Sequence, residues 1–416
     1  MPVTTITHMD ENGSVFRVAY YEAGDRRLAR AGATLSRRME NGHGIWRLEL
    51  PRLGGDRLKL EQAGDPGTPP ERIAGVLTAF LRGSEPEPVV RLQVARDDGE
   101  LRAKVLEGLQ AGELGTKDGA PEDSVVSLRY GKASSRDPIW RLRAVLERQY
   151  AQVLRHDPGV RLDLDSEDVH QVRVAVRRAR AVLRAARPLL DTEWSEPLRA
   201  ELKWLGGVLG PRRDLDVLIE RLRKELSDLE APEREAGAQL VELLREERDR
   251  TQTVAVEALS SARYYRLLDE LESATRGPRV RRSEISLARL ARREFERLRK
   301  QARRLNWAST DAELHRARIL CKRARYTAEF AEPDLGKPAT RVVQQATALQ
   351  DVLGEHQDAI VAEARLRELL AKAPGPGAAF AAGRLVERER MRRSAARAAL
   401  PKAWRKLERA AERAWR

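Results

Sequence analysis

Two stretches of this chain set a histidine and four cationic side chains at identical spacing. His170-Gln-Val-Arg173-Val-Ala-Val-Arg177-Arg178-Ala-Arg180 is answered by His315-Arg-Ala-Arg318-Ile-Leu-Cys-Lys322-Arg323-Ala-Arg325, at a constant offset of 145 residues. Groups of this kind bind anions. Arginine forks phosphate or carboxylate oxygens bidentately, and lysine acts as a point charge. The histidines have three readings: neutral and locally hydrogen-bonded, protonated beside a phosphate, or metal-ligating with further His, Cys or carboxylate partners close by.

On an α-helix of 3.6 residues per turn, His170, Arg173, Arg177, Arg180 and Arg184 form one narrow stripe. Val172, Ala175, Val176, Ala179, Val182, Leu183 and Ala186 fall on the opposite, core-facing side. The second copy repeats this, with His315, Arg318, Lys322 and Arg325 against Ala317, Leu320, Cys321, Ala324 and Ala328. Arg178 and Arg323 sit at the flank. No carboxylate interrupts the first stripe, and Glu329 ends the second. Like charges at i, i+4 repel, and an anion bridging them relieves that repulsion. A merely solvated charged face is the plainer reading.

Other landmarks recur. Leu205-x3-Leu209-Gly210-x3-Asp214 is matched by Leu349-x3-Leu353-Gly354-x3-Asp358 at an offset of 144, and Ala258-Leu259-Ser260 by Ala399-Leu400-Pro401 at 141. From Pro138 onward the pattern predicts helices over about 138–156, 167–190, 195–229 and 232–274, then 284–304, 310–331, 337–372 and 377–414. The third is expected to break at Gly210-Pro211. A repeated set of four helices predicts two four-helix bundles related by an approximate two-fold axis, at 138–274 and 280–416. A uniform coiled coil is disfavoured, because Gly, Pro and the drifting offset interrupt any heptad.

Residues 1–131 differ. They are rich in Gly and Pro, with alternating stretches at Val15–Tyr20, Ile45–Leu50, Arg57–Glu61, Val89–Val94 and Leu101–Val105 that read as strands, and one helix over Pro70–Leu81. Gly131–Asp137 reads as a linker. The fold class is therefore mainly α, two pseudo-two-fold-related four-helix bundles preceded by a small β-rich (α+β) domain.

The 416 residues carry 78 Lys plus Arg against 64 Asp plus Glu, a formal net charge of +14 that favours polyanionic partners. Aromatics are only 5%, a balance suited to long helices. The single cysteine, Cys321, excludes an internal disulfide, and CxxC metal motifs are absent. No apolar run has membrane-spanning length, and the first residues lack a signal-peptide pattern. A cytoplasmic protein without a cofactor is expected. Oligomeric state is not legible.

At His170, Arg173, Arg177, Arg178, Asp214 and their counterparts, the chain resembles the CHAD family, the conserved histidine α-helical domain. The resemblance covers about 138–414. It implies a binder of inorganic polyphosphate, in which two helical bundles face each other and the basic helices line a central pore or groove. Carried over by position, it implies ligand contacts at His170, Arg173, Arg177, Arg178, Arg180, His315, Arg318, Lys322, Arg323 and Arg325. Lys203, Arg213 and His356, beside the Leu-Gly-x3-Asp motifs, are additions. Asp214 and Asp358 are expected to orient a neighbouring Arg or His. Association with polyphosphate granules follows from the same resemblance.

Tyr20-Tyr21-x6-Leu28-Ala-Arg30-Ala-Gly32-Ala-Thr34-Leu-Ser-Arg37-Arg38, with Trp46-Arg-Leu-Glu-Leu-Pro51, resembles a shortened CYTH domain of the triphosphate tunnel type. That family's β-barrel uses a Glu-x-Glu-x-Lys strand for metal and triphosphate. Here the first residues offer only Asp10 and Glu11, on opposite faces of any strand, and Glu49 reverses the charge of the family's Leu-Lys-Leu-Pro. A degenerate, non-catalytic domain is expected; Arg37 and Arg38 could still touch phosphate, but the reading that they do not is the favoured one.

Two rival functions stay open: a triphosphate or polyphosphate hydrolase using the N-terminal domain, and a nucleic-acid binder. The second lacks a reading helix, zinc finger or aromatic RNP-type motif.

Overall fold

A computed structural model describes residues 4–7, 16–23, 25–40, 43–52, 56–94, 99–111, 138–281, 286–305, 309–372 and 375–415. The chain falls into two compact units. One takes in residues 1–133, 150–172 and 256–269, the other 134–149, 173–255 and 270–416. The expected linker 131–137 and the acidic pair Asp10 and Glu11 lie outside the described residues.

In the first unit six strands form one sheet in the order β1-β6-β2-β3-β4-β5. They are β1 Thr4–Thr7, β2 Phe16–Glu22, β3 Thr34–Glu40, β4 His43–Pro51, β5 Arg57–Ala63 and β6 Glu87–Val94. β1 runs parallel to β6, and the other neighbours are antiparallel. Alternating burial along β4 puts Trp46 and Leu48 fully inside, where Trp46 meets Tyr21 at a ring distance of 4.6 Å. Short helices α1 (Arg27–Arg30), α2 (Glu71–Leu81) and α3 (Gly99–Ala111) accompany the sheet. The strand expected at Leu101–Val105 is part of α3. Leu101, Val105 and Leu109 recur every four residues, and Val105 and Leu109 pack on Val18, Tyr20 and Val90. β3 fell in a polar Ser-Arg-Arg stretch whose alternation is weak. The sheet is compatible with a CYTH-like fold.

The helices that follow are α4 Pro138–Leu162, α5 Ser166–Ala185, α6 Thr192–Ser227, α7 Ala231–Leu259, α8 Ala262–Arg276, α9 Leu287–Ala302, α10 Asp311–Leu335, α11 Lys337–Leu370 and α12 Pro376–Ala414. Four expected boundaries move. α4 runs through Pro158 to Leu162, and α5 gives way at Arg187–Leu189 to a 3₁₀ turn. α6 continues through Gly210-Pro211 as one helix of 36 residues. A mid-helix proline removes one ladder bond and clashes locally, whereas Leu205, Leu209, Leu215, Leu218 and Leu222 are buried on both sides of it. The span 232–274 is two helices, parted at Ser260-Ser261.

In the second unit α9–α12 share a core built from Phe295, Leu298, Leu314, Cys321, Leu349, Leu353 and Leu407 among others. A further cluster joins the end of α6, the start of α7, the end of α11 and the start of α12. Both members of several repeat-equivalent pairs belong to it: Leu218 and Ala362, Leu222 and Leu366, Val241 and Ala382, and Leu244 and Leu385. Equivalents sharing one core is what an approximate two-fold relation produces. Among the described residues no helix is long and apolar enough to cross a membrane.

Candidate anion-binding site

The two basic stretches are the helices α5 and α10. On α5 the inward residues Val172, Ala175, Val176, Ala179 and Leu183 are each at most 1% exposed, which fixes the helix rotation and turns the Arg173–Arg184 stripe out of the core. On α10, Ala317, Cys321, Ala324 and Ala328 do the same. A capping box at Thr310 and Glu313 starts α10. Burial pushes the Cys321 thiol up to about 12, so it is a packing residue.

The cationic faces of the two helices converge within the second unit. The Lys322 ammonium is held down to about 8, first by burial, then by Arg318 on its own helix and Arg177 on α5, with Asp358 opposing and Arg325 adding to this. Arg184 is lowered by burial and by Arg323 on α10, with Arg199 and Arg297 adding to this and Glu294 opposing it. Glu329 feels both Arg325 and Arg178. Among the described residues, neither Arg177 nor Lys322 makes a hydrogen bond or ion pair. Cations from both helices accumulate here, half-buried and held on rigid helices, with Asp214, Asp358, Glu329 and Glu294 as the carboxylates that face them.

Each half repeats one weak ion pair. Arg173 Nη2 lies 3.6 Å from Asp214 Oδ1, and Arg318 Nη2 lies 4.0 Å from Asp358 Oδ1. Both separations exceed a hydrogen bond, so the carboxylates steer the guanidiniums without saturating them. Arg173 also donates from Nη1 to the Gly206 carbonyl at 3.0 Å. Burial, then Arg199, lowers Arg180. Arg325 donates to Thr347 at 3.4 Å, pairs with Glu329 at 3.4 Å and lies over the Tyr326 ring at 4.5 Å.

His315 is exposed, and its Nδ1–H donates to Gln357 Oε1 at 2.8 Å, which leaves Nε2 for another partner. His170 is half-buried on the α5 stripe, in the part of α5 that belongs to the first unit. Arg213 is half-buried near Arg173, and Lys203 is exposed on α6. His356 departs from expectation. It is 1% exposed, and its Nε2 accepts from Arg397 Nε at 3.1 Å. That nitrogen therefore carries no proton, and burial lowers the group further. The nearby Asp311 is bound by Arg397 instead, at 2.6 Å. His356 is a buried strut between α11 and α12. Arg37 is also committed: it donates to the Gly64 carbonyl and lies across Gly44, where a Cβ would overlap it.

Arg199 and Arg297 are additions from the structure, brought to Arg184 by α6 and α9. Neither belongs to the repeated motif, so no spacing signal marks them. Among the described residues no group of His, Cys, Asp and Glu is arranged to hold a metal ion.

A CHAD domain profile matches residues 144–367. Two Mycobacterium tuberculosis sequences, the uncharacterized protein MT2285 of strain CDC 1551 / Oshkosh and the uncharacterized protein Rv2226 of strain ATCC 25618 / H37Rv, are each 29% identical over 482 aligned residues, covering 95% of this chain and 90% of theirs. Among solved structures, PptA from Streptomyces chartreusis is similar with a TM-score of 0.53 and 27% identity, over 64% of this chain and 98% of that one. The CHAD domain from the plant Ricinus communis is similar with a TM-score of 0.50 and 29% identity, over 63% of this chain and 91% of that one.

Proposed function

The chain belongs to the CHAD domain family, and from that premise we propose that its two cationic helices bind inorganic polyphosphate without hydrolysing it. CHAD domains are associated with polyphosphate binding. The observation that carries the reading is the position of Lys322, in the fields of both Arg318 and Arg177. Cations from two helices meet there, and a linear polyanion threaded between them relieves the repulsion. Polyphosphate has no base edges to read and no ring to stack on, so spaced cations suffice. Residues one helical turn apart recur at about 5.4 Å, which lets Arg173, Arg177, Arg180 and Arg184 engage successive parts of a chain. Fixing them on helices lowers the ordering cost of binding. The contacts are Arg173, Arg177, Arg178, Arg180, Arg318, Lys322, Arg323 and Arg325, with His170 and His315 continuing the stripes and Arg213 and Lys203 at the margin. In a cell that stores polyphosphate, the protein associates with the granules.

The test is titration with long polyphosphate. Replacing Arg173, Arg177, Arg318 and Lys322 together by Glu is expected to abolish binding while circular dichroism shows unchanged helicity. A folded variant that binds as the parent does overturns the site. Release of orthophosphate in the presence of Mg²⁺ or Mn²⁺ overturns the non-enzymatic part. Duplex DNA displacing long polyphosphate at matched charge would move the reading to nucleic acid.

A further inference from the structure

The offset of 145 residues that relates α5 to α10 continues past the shared motif, and there the charge changes sign: the counterpart of Arg184 is Glu329. A two-fold relation exchanges partners, so proximity between two residues recurs between their counterparts. The second unit holds both members of one such exchange. Arg184 stands in the field of Arg323, and Glu329 stands in the field of Arg178. Arg178 and Arg323 are themselves counterparts. Arg177 and Lys322, another counterpart pair, stand in each other's field, so the approximate axis passes between them. The site therefore has two equivalent flanks. One carries Arg180, Arg184 and Arg323, and the other carries Arg325, Glu329 and Arg178.

The surroundings widen the difference. On the first flank Arg199 from α6 and Arg297 from α9 add to the positive field at Arg184, with Glu294 opposing. Both carboxylates near them are taken: Glu294 by Arg297, and Glu196 by Arg199 and Arg187. At the α6–α11 offset of 144, the counterpart of Arg199 is the uncharged Val343. On the second flank Glu329 pairs with Arg325 at 3.4 Å, and Glu332 adds a second negative field beside it. Among the described residues the side chains of Arg184 and Arg323 make no hydrogen bond or ion pair, and Arg180 Nε is buried without a partner. The first flank thus has guanidiniums to spare, and the second has spent one on a carboxylate.

Resting on the polyphosphate reading, we propose that the site is one-sided: a bound chain runs on past Arg184 and Arg323 towards Arg199 and Arg297, and stops short of Glu329. The cations common to both repeats contribute equally to the two flanks, so positions 184 and 329 decide between them. A phosphate on the first flank meets unpaired guanidiniums, which bind its oxygens through charge-assisted hydrogen bonds. A phosphate on the second flank meets a half-buried carboxylate, and like charges repel more strongly where water is partly excluded. The near-symmetric fold thus presents an asymmetric surface to a ligand whose own two ends are alike.

The experiment is calorimetric titration of the full chain with long polyphosphate over a range of salt, with circular dichroism as the check on folding. Arg178→Glu and Arg323→Glu make the same change at equivalent places, so a groove used evenly loses the same from either. Arg323→Glu is expected to lose about tenfold or more in affinity, and Arg178→Glu no more than about threefold. Glu329→Arg gives the second flank the charge of the first. It should raise affinity and steepen the salt slope by about 0.7 for each further phosphate neutralised, and in its background Arg178→Glu should cost as much as Arg323→Glu does in the parent. Glu329→Gln should move affinity the same way by a smaller factor, and it stands in if the arginine variant does not fold. Glu246→Arg, at an exposed position on α7, makes the same change in net charge and should leave affinity near that of the parent. Equal losses from Arg178→Glu and Arg323→Glu overturn the proposal. So do Glu329 variants that bind as the parent does, or a Glu246→Arg gain that matches theirs. In each of those cases the polyphosphate reading stands, because it depends on loss of binding in the fourfold Glu variant. A parent that does not bind long polyphosphate overturns both.

Discussion

Gly210 on α6 lies beneath the guanidinium of Arg173 on α5: a Cβ at 210 would stand 2.8 Å from Arg173 Nη1. The absent side chain lets Arg173 cross α6, donate to Gly206 and face Asp214. Gly210→Ala is therefore expected to separate stability from binding. The helix gains about 0.5–1 kcal/mol from the better helix former, and the flexible end of Arg173 moves aside. Polyphosphate affinity should fall about tenfold or more as that cation is displaced. Chemical denaturation and calorimetric titration on the same variant check both parts.

Neutralising the two steering carboxylates tests whether they repel or organise. In Asp214→Asn with Asp358→Asn, two negative charges beside Arg173 and Arg318 disappear. The pairs are long, at 3.6 and 4.0 Å, so little geometry is lost. Affinity for polyphosphate is expected to rise a few-fold, with the gain largest at low salt. A fall would make the carboxylates positioning groups.

Binding should be linked to proton uptake. Lys322 titrates near 8 because burial, Arg318 and Arg177 disfavour its charged form. A polyanion beside it favours that form, so above about pH 8 complex formation draws protons from the buffer. Calorimetry in two buffers of different ionisation enthalpy measures the number taken up, which should vanish in Lys322→Gln. Folding follows the same group. Between about 8 and the ordinary value of 10.5 the unfolded chain holds a proton the folded chain has lost. The contribution of Lys322 to stability thus grows as pH rises through that window and is lost as pH falls through about 8.

Salt should weaken binding steeply. By analogy with single-stranded nucleic acids, log affinity falls against log salt with a slope of about −0.7 per phosphate neutralised. The fourfold Glu variant, or Arg177→Gln with Lys322→Gln, should give a shallower slope. An affinity indifferent to salt would remove the electrostatic account.

The shared core between the repeats should be the costliest place to open. Leu222 and Leu366 are repeat equivalents in one cluster and are nearly inaccessible. Leu222→Ala and Leu366→Ala should each cost about 2–5 kcal/mol. Because they share neighbours, the double variant should depart from additivity. Urea unfolding of the three proteins measures both.

The rows of cations were legible because helical periodicity is a property of one segment. Placing Val172, Ala175, Val176, Ala179 and Leu183 on one side settles where Arg173 and Arg177 point, whatever packs against them. The break expected at Gly210-Pro211 failed for the complementary reason. A local breaker weighs about one ladder bond, and the buried leucines on either side outweigh it. His356 looked like a ligand contact from its neighbours in sequence, yet Arg397, 41 residues away, claims its nitrogen.

What the chain determined by itself was the repeat, the helices and the stripe on each, since spacing, propensity and burial pattern act within a few turns. What only the tertiary structure decided was which charges meet. Lys322 and Arg177 are brought into each other's field, Arg199 and Arg297 are carried to Arg184 by helices outside the motif, and His156 is set against Asp168. Coulombic and hydrogen-bond energies depend on distance in space and on the water excluded between groups, and neither quantity is written in the order of residues along the chain.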